Sequence, residues 1–179
     1  MLGKIEVTLR SCGKMLMSRD TGNRKPIKDP NSEENKAKEF HESQYLDRKG
    51  NLCLWSEHLE KCFEVAGKQV PFKGKQTHSK LLCGGIYIEP QEIPLKKAVP
   101  IPFPKMVRIP PKTGARVLKT RALVNEWEAT FVINIVNDDI NFDALKEVVT
   151  KAGIHCGLLA WRPKFGRFEI KKFKKVGEK

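Results

Sequence analysis

The stretch that decides the fold reads WEATFVINI at residues 127–135, NFDALKEVVTKA at 141–152 and GIHCGLLAWRPKFGRFEI at 153–170. Apolar and polar residues alternate in the first segment, which is typical of a strand with one buried face. The second has apolar residues at helical spacing after an Asn N-cap, and Gly153 follows as the expected C-cap. The third is a glycine-rich loop leading into a last strand, in which Phe168 is expected to point inward.

Elements upstream complete this pattern. Alternation over residues 4–10 predicts a first strand, Ser56 is the expected N-cap of a helix running to about Ala66, and residues 81–88 are expected to form a strand. The order strand, helix, strand, strand, helix, strand is typical of an α+β protein with a ferredoxin-like βαββαβ arrangement. We therefore expect one domain over residues 1–179.

Two insertions are expected to interrupt that domain. The first, residues 11–55, combines a polar loop with a surface helix over 32–49. The second, residues 89–114, is basic and rich in proline, and seven prolines between 90 and 111 favour an extended chain that crosses the surface without building a sheet interior. Gly114 is the expected turn after it.

Charge is the strongest pointer to function. The formal net charge is +13 over 179 residues, an excess that attracts polyanions and speeds their capture. An anionic membrane surface, an acidic protein partner or a merely solvated basic surface are the alternatives. No run approaches the length of a transmembrane helix, and the N-terminus lacks a signal-peptide pattern. We expect a cytoplasmic protein whose five cysteines are reduced.

Three segments are candidate surfaces for nucleic acid, because cations and glycines suit phosphate groups. The glycine-rich loop offers Gly157, Trp161, Arg162, Lys164, Gly166 and Arg167. A second segment, from 105 to 121, has no acidic residue and offers Arg108, Lys112, Arg116, Lys119 and Arg121. The polar loop near residue 20 offers Arg19 and Arg24.

Aromatic residues of the glycine-rich loop have two interpretations. Trp161 or Phe165 would stack on a base, or else pack against the end of the sheet, and for Trp161 both interpretations stay open. For Phe168 we favour packing, because it falls on the inward phase of its strand.

Catalysis and metal binding have weaker patterns. His41 and Tyr45 are four residues apart, so they would share one face of the predicted helix, and His155 is the nearest histidine to the loop. None belongs to a recognisable catalytic motif. His58 and Cys62, with Cys53 and Cys83, form a poor zinc pattern without a CxxC pair. We expect no cofactor and no metal, and we favour binding without catalysis.

The C-terminal segment also carries a resemblance. Trp161, Arg162, Pro163 and the run Phe165-Gly166-Arg167-Phe168 are similar to the signature of an uncharacterised family of bacteriophage proteins. Those relatives favour a shorter polar-glycine step where this chain has Leu158-Leu159-Ala160. More broadly, a glycine-rich loop entering the last strand of a ferredoxin-like domain resembles the RAMP superfamily, the repeat-associated RNA-binding proteins of CRISPR systems.

The resemblance implies a RAMP-like fold in a phage-encoded protein of the host cytoplasm. It implies RNA or single-stranded DNA as the ligand, and self-association along a strand. Two other functions stay open: binding and modulation of a host defence or replication complex, in the manner of an anti-CRISPR protein, and a RAMP-type endoribonuclease. Fold alone does not decide among them.

Overall fold

The computed structural model describes residues 3–22, 29, 32–109 and 114–177. Within these ranges the first half of the chain forms β1 (Gly3–Ser11), β2 (Met15–Leu16), α1 (Glu33–Glu42), β3 (Cys53–Trp55), α2 (Ser56–Gly67), α3 (His78–Leu82), β4 (Ile86–Glu89) and β5 (Glu92–Lys96). The second half forms β6 (Pro100–Ile109), β7 (Ala115–Val124), β8 (Glu128–Ile135), α4 (Phe142–Lys151), a π-helical turn (Ala152–Cys156) and β9 (Phe168–Lys175).

Two antiparallel sheets organise these elements. The larger sheet has the order β3–β5–β8–β1–β9, and β4 also pairs with β8. The smaller sheet has the order β2–β7–β6. The chain is therefore an α+β protein with antiparallel sheets. Among the described helices, none has the length and apolar character needed to cross a bilayer.

β1 lies between β8 and β9 in the larger sheet, and its burial pattern shows why the sequence folds this way. Its residues Ile5, Val7 and Leu9 are buried while the residues between them are not, as the alternation predicted. They share one core with Phe63 of α2 and Val148 of α4. Burial of these apolar side chains is the main favourable term for the sheet and its helices.

Several predicted elements are confirmed. Asn141 caps α4, since its side chain accepts a hydrogen bond from the Ala144 amide (2.8 Å). Phe168 is buried at the start of β9. α2 occupies the predicted segment, although Trp55 and not Ser56 is the N-cap.

The predicted strand over residues 81–88 is wrong in its first half. α3 extends to Leu82, and β4 begins only at Ile86. Gly84 has a φ of +75°, and a Cβ at Gly85 would lie 1.9 Å from the Leu81 carbonyl oxygen. The two glycines therefore reverse the chain here, because other residues would be strained or would clash.

The predicted surface helix over residues 32–49 is also too long. α1 begins after its N-cap Ser32 and ends at Glu42. The Ser43 hydroxyl donates to the Phe40 carbonyl (2.8 Å) and accepts from the Ala122 amide of β7 (2.8 Å). This tertiary contact ends the helix, because it fixes the chain against the smaller sheet.

The proline-rich segment differs most from the prediction. It forms β5 and β6, and β6 pairs with β7 from Pro100 opposite Val124 to Ile109 opposite Ala115. We call β6 and β7 the basic hairpin. Pro100, Pro102 and Pro104 occupy every second position of an edge strand. At that spacing the missing N–H groups all face away from β7, so the ladder loses no donor.

Gly153 is not the C-cap that the sequence predicts. The chain continues beyond it through the π-helical turn and reverses at Gly157, which has a φ of +70°. Gly153 is buried, and a Cβ there would lie 2.0 Å from the Phe168 carbonyl oxygen. Its role is thus to let the turn approach β9 closely.

Gly153→Ala is expected to lower the free energy of unfolding by about 1–3 kcal/mol or more, because the added methyl group overpacks the contact with Phe168. Gly13→Ala is the matched control, since a Cβ at Gly13 meets nothing within 4 Å, and it should change stability by less than about 0.5 kcal/mol. Urea denaturation measures both. Equal stability of the two variants would contradict the proposed close approach.

Glu128 gives the larger sheet a pH dependence. Hydrogen bonds from Lys171 and Lys97 (both 2.9 Å) lower the pKa of the Glu128 carboxyl to about 2. A depressed carboxyl pKa contributes stability above its unfolded value of 4.5 and loses it as the pH falls towards 2. Glu128→Gln is therefore expected to be less stable than wild type near pH 7.

That difference should shrink below about pH 4.5, the range in which unfolded carboxyl groups gain protons, and disappear near pH 2. Thermal denaturation across this range at low salt measures it. A difference between the two proteins that stays constant with pH would contradict the assignment.

Candidate nucleic-acid interface

The glycine-rich loop, residues 157–167, is closed by its own backbone. The Leu158 amide donates to the Gly166 carbonyl (2.9 Å), and the Gly166 amide donates to the Lys14 carbonyl (2.8 Å). Gly166 has a φ of +78°, and a Cβ there would lie 2.1 Å from the Leu158 carbonyl oxygen. Gly157 and Gly166 are buried and shape the loop. Their amides already have partners, to Ala152 and Lys14, so they are not exposed donors for phosphate.

β2 connects this loop to the basic hairpin. Met15 and Leu16 pair with Val124 and Leu123 of β7, and Leu16 also forms an antiparallel bridge with Ala160. The Ala160 amide donates to the Leu16 carbonyl (3.1 Å). Two of the three basic segments predicted from the sequence therefore meet in space.

Three aromatic rings lie where they meet. Phe103 of β6 packs edge-on against Trp161 (centroids 6.3 Å apart) and Phe165 (6.2 Å) of the loop. Trp161 and Phe165 are themselves 6.0 Å apart. The Arg121 guanidinium lies over the Trp161 ring, 5.8 Å from its centroid. We call Phe103, Trp161, Phe165 and Arg121 the aromatic patch.

The aromatic patch is only partly covered by protein. Trp161 keeps 39% of its surface exposed although it packs on two other rings. Its φ is +55°, in the left-handed region that bulky residues avoid, and Leu159 has a φ of +61°. Strained backbone of this kind clusters at binding sites. Trp161 thus packs against these rings and remains partly exposed to solvent.

Phe103 is the residue of the patch that sequence reasoning missed. It stands opposite Arg121 in the hairpin register. The sequence did contain a signal for this strand. Phe103 and its neighbours alternate with prolines at every second position, which is the two-residue period of a strand. The high proline content instead favoured an extended segment that does not build a sheet interior.

The cations of the basic hairpin are arranged as like-charged neighbours. Lys105 stands opposite Lys119, and Arg108 stands opposite Arg116. Like charges directly opposite each other destabilise a strand pair. Within the described part of the chain, Lys119 is the one of these four with an ion pair, to Glu39 of α1. A bound polyanion would relieve the repulsion.

Arg19 and Arg162 lie beside the aromatic patch in two adjoining clefts. Arg19, Lys119 and Arg121 line a groove of about 550 Å³, together with the acidic residues Asp20, Glu39 and Glu42. Arg162 lines a second cleft of about 390 Å³, with Glu57 and Lys61. Ser18 lines both, so the two clefts adjoin at that residue.

The other predicted binding residues are placed differently. Arg108 and Arg116 lie near the far end of the hairpin, and Arg116 is about 17 Å along the strand from Arg121 at 3.3 Å per residue. The Arg167 side chain folds back to donate to the Pro163 carbonyl (3.0 Å), while Lys164 is exposed. The remaining two, Arg24 and Lys112, lie outside the described residues.

Ion pairs engage part of the positive charge on the outward face of the larger sheet. Lys172 pairs with Glu6, Arg10 pairs with Glu169, and Glu128 takes both Lys97 and Lys171. Cations with acidic partners offer a polyanion less than unpaired ones. Four cations of this face are thus held by three carboxylates, whereas Lys105, Arg108 and Arg116 of the hairpin have no ion pair among the described residues.

His58 is the histidine that lies in a cleft, and sequence reasoning had considered it only for zinc. It lines the same cleft as Tyr45 and Arg162. Its Nδ1 accepts the Trp55 amide hydrogen (3.3 Å), and its ring stacks on Trp55 with an interplanar angle of 4°. Burial lowers the pKa of His58, Glu57 opposes this and Arg162 lowers it further.

His41 and Tyr45, which would share one face of the predicted helix, do not lie on a common helix. α1 ends before Tyr45, whose ring packs edge-on against His58 (4.7 Å) and whose hydroxyl donates to the Ser18 carbonyl (3.3 Å). His41 and His155 are exposed and line none of the clefts described above.

The zinc pattern is not assembled either. Cys62 is buried and donates to the Gly157 carbonyl (3.3 Å), whereas Cys83 is exposed. Among the described residues no group of three His, Cys, Asp or Glu side chains is placed to hold a metal ion.

No protein-family description matches the sequence of this chain, and no curated protein matches it. The function therefore has to be argued from the site itself.

Arg162→Gln is expected to raise the pKa of His58, because the guanidinium charge disfavours the imidazolium. Titration of the histidine ring protons by NMR measures the shift. Lys164→Gln, two residues along the same loop, removes an equal charge that does not act on His58 and should leave its pKa unchanged. Equal shifts in the two variants would show that Arg162 is not the specific neighbour.

Proposed function

We propose that the chain is a non-catalytic nucleic-acid-binding protein that takes RNA or single-stranded DNA on the aromatic patch and the clefts beside it. The observation that carries the proposal is the meeting of three aromatic rings with Arg121 where two basic segments join. Stacked aromatics next to cations bind unpaired bases and backbone phosphates together. A small acidic ligand would not need three rings.

Each part of the patch has a distinct task in this proposal. Trp161 offers a half-open face on which one base stacks, and Phe103 and Phe165 hold that ring in place. Arg121 stays charged despite the burial that lowers its pKa, because the pKa of an arginine side chain lies far above neutrality. It contacts a phosphate, with Arg19 and Arg162 continuing the track through the two clefts.

The fold is proposed to be ferredoxin-like and RAMP-like. The strand order β4–β8–β1–β9 with antiparallel neighbours supports this, as does the contact of α2 and α4 over one core. The glycine-rich loop enters the last strand, as in the RAMP resemblance. A phage origin, the host cytoplasm as location and self-association along a bound strand belong to the same proposal.

A second candidate function is endoribonuclease activity, and the cleft at His58 favours it. A histidine with a fixed Nδ1 acceptor, a tyrosine ring beside it and an arginine in one cleft could move a proton at a phosphodiester. Binding without cleavage remains the first proposal, because stacking explains the patch without a reaction.

Fluorescence anisotropy with labelled single-stranded RNA, single-stranded DNA and duplex DNA tests the proposal. Trp161→Ala is expected to weaken single-strand binding by about 1–3 kcal/mol through the lost stacking. Arg121→Ala is expected to reduce the slope of log affinity against log salt by about 1. Lys146→Ala, an exposed cation of α4 outside both clefts, is the matched control and should bind as wild type.

Three outcomes would redirect the interpretation. Failure to bind any of the polymers at low salt would favour an acidic host protein complex as the partner. Preference for duplex, unaffected by Trp161→Ala, would remove stacking from the mechanism. Cleavage of the RNA by wild type and not by His58→Ala would establish the second candidate. Thermal denaturation of each variant confirms that it is folded.

A further inference from the structure

Four carboxylates of the described residues line the two clefts beside the aromatic patch, and one of them differs from the others. Glu39 and Glu42 each form an ion pair with a lysine, and Asp20 accepts a hydrogen bond from a backbone amide (2.9 Å). Glu57 has no ion pair within the described ranges, and its two hydrogen bonds, from neighbouring side chains, are long (3.4 and 3.5 Å). Its negative charge is therefore the least compensated in the clefts.

The cleft that Glu57 lines also contains a cation without an acidic partner. Arg162 lies in the same cleft, and in the part of the chain that the structure describes it forms no ion pair, either with Glu57 or with another acid. The rings of His58 and Tyr45, with centroids 4.7 Å apart, complete the wall. A free acceptor, a free donor and flat rings thus share a volume of about 390 Å³, which is within the range of ligand pockets.

A carboxylate on the track of a polyanion opposes binding unless the ligand offers it a hydrogen-bond donor. Phosphodiester oxygens only accept hydrogen bonds, whereas the bases carry N–H groups. Glu57 therefore suits a base and repels a phosphate.

Guanine is the base that matches this cleft. Of the four bases of RNA, it alone has two adjacent N–H donors, N1–H and the N2 amino group, beside the acceptor O6 on its Watson–Crick edge. A carboxylate can accept from both donors at once. Arginine is the usual partner of guanine O6, and Arg162 has five N–H donors to share between O6 and a backbone phosphate.

We propose that the cleft lined by Glu57, His58, Tyr45 and Arg162 is a guanine subsite, in which Glu57 accepts from N1–H and the N2 amino group and Arg162 donates to O6. The inference rests on the proposed function, because it takes the cleft as part of the track of a single strand. Stacking on Trp161 accepts any base, whereas the guanine subsite selects one base of the same strand.

Fluorescence anisotropy with short labelled oligouridines that carry one central guanine, adenine or inosine tests the subsite. The wild-type protein is expected to bind the guanine oligomer at least about 5-fold more tightly than the adenine oligomer, as for one good bidentate contact. Adenine is the comparison because it is also a purine and can stack on Trp161. Inosine lacks the N2 amino group, so its oligomer should bind with an affinity between the other two.

Glu57→Gln is expected to bring the affinities for the guanine and adenine oligomers to within about 2-fold of each other, because a carboxamide places an N–H group where guanine needs an acceptor. It should bind plain oligouridine at least as tightly as wild type, since a negative charge leaves the track. Glu147→Gln removes an exposed carboxylate of α4 that lines neither cleft, so this matched control should keep the preference. Thermal denaturation checks that both variants are folded.

The outcomes separate the subsite from the proposed function. Equal affinity of the wild-type protein for the guanine and adenine oligomers would overturn the guanine subsite and leave single-strand binding in place. A guanine preference that survives Glu57→Gln would overturn the assignment to this cleft. Failure to bind any of the oligomers at low salt would refute the proposed function, and the subsite with it.

Discussion

The two residues of β2 hold the binding surface together. Met15 and Leu16 are fully buried, and their backbone pairs with β7 on one side while Leu16 reaches Ala160 on the other. This short strand gives the basic hairpin and the glycine-rich loop a shared backbone support, beside the direct contacts of Phe103 and Arg121 with Trp161. Because a short strand has little pairing of its own, its stability comes from burial of its side chains.

Ion pairs are distributed differently over the larger sheet and the basic hairpin. Glu6, Glu128 and Glu169 hold four cations of the outward face of the larger sheet in ion pairs, so those cations are less available to a polyanion. The basic hairpin keeps opposed cations and is less stable for it. Lys119 has an acidic partner, Glu39 of α1, and a bound polyanion would supply negative charge to the other three cations.

Sequence reasoning correctly predicted the elements that are determined by residues close together in the chain. The alternation in β1 and β8 and the Asn141 cap depend on near neighbours, and both can be read without a partner. The end of α1 could not be read, since Ser43 is fixed by a hydrogen bond from Ala122, far away along the chain. Similarly, Gly153 resembles a helix stop until the carbonyl of Phe168 is known to lie against it.

The binding-site residues also divide into features that can be predicted locally and features that depend on distant contacts. Arg121 and Trp161 were predicted as binding residues from charge and composition, but their contact with each other and with Phe103 depends on strand register. His58 was considered only as a metal ligand, because its neighbours Tyr45 and Arg162 come from distant segments. Residue type was therefore informative, whereas proximity required the tertiary structure.

The alternating prolines of β6 also limit how copies of this protein can assemble. Pro100, Pro102 and Pro104 remove three hydrogen-bond donors from the free edge of the smaller sheet. Another strand that docked there would find acceptors without matching donors, so continuous sheets between molecules are disfavoured at this edge.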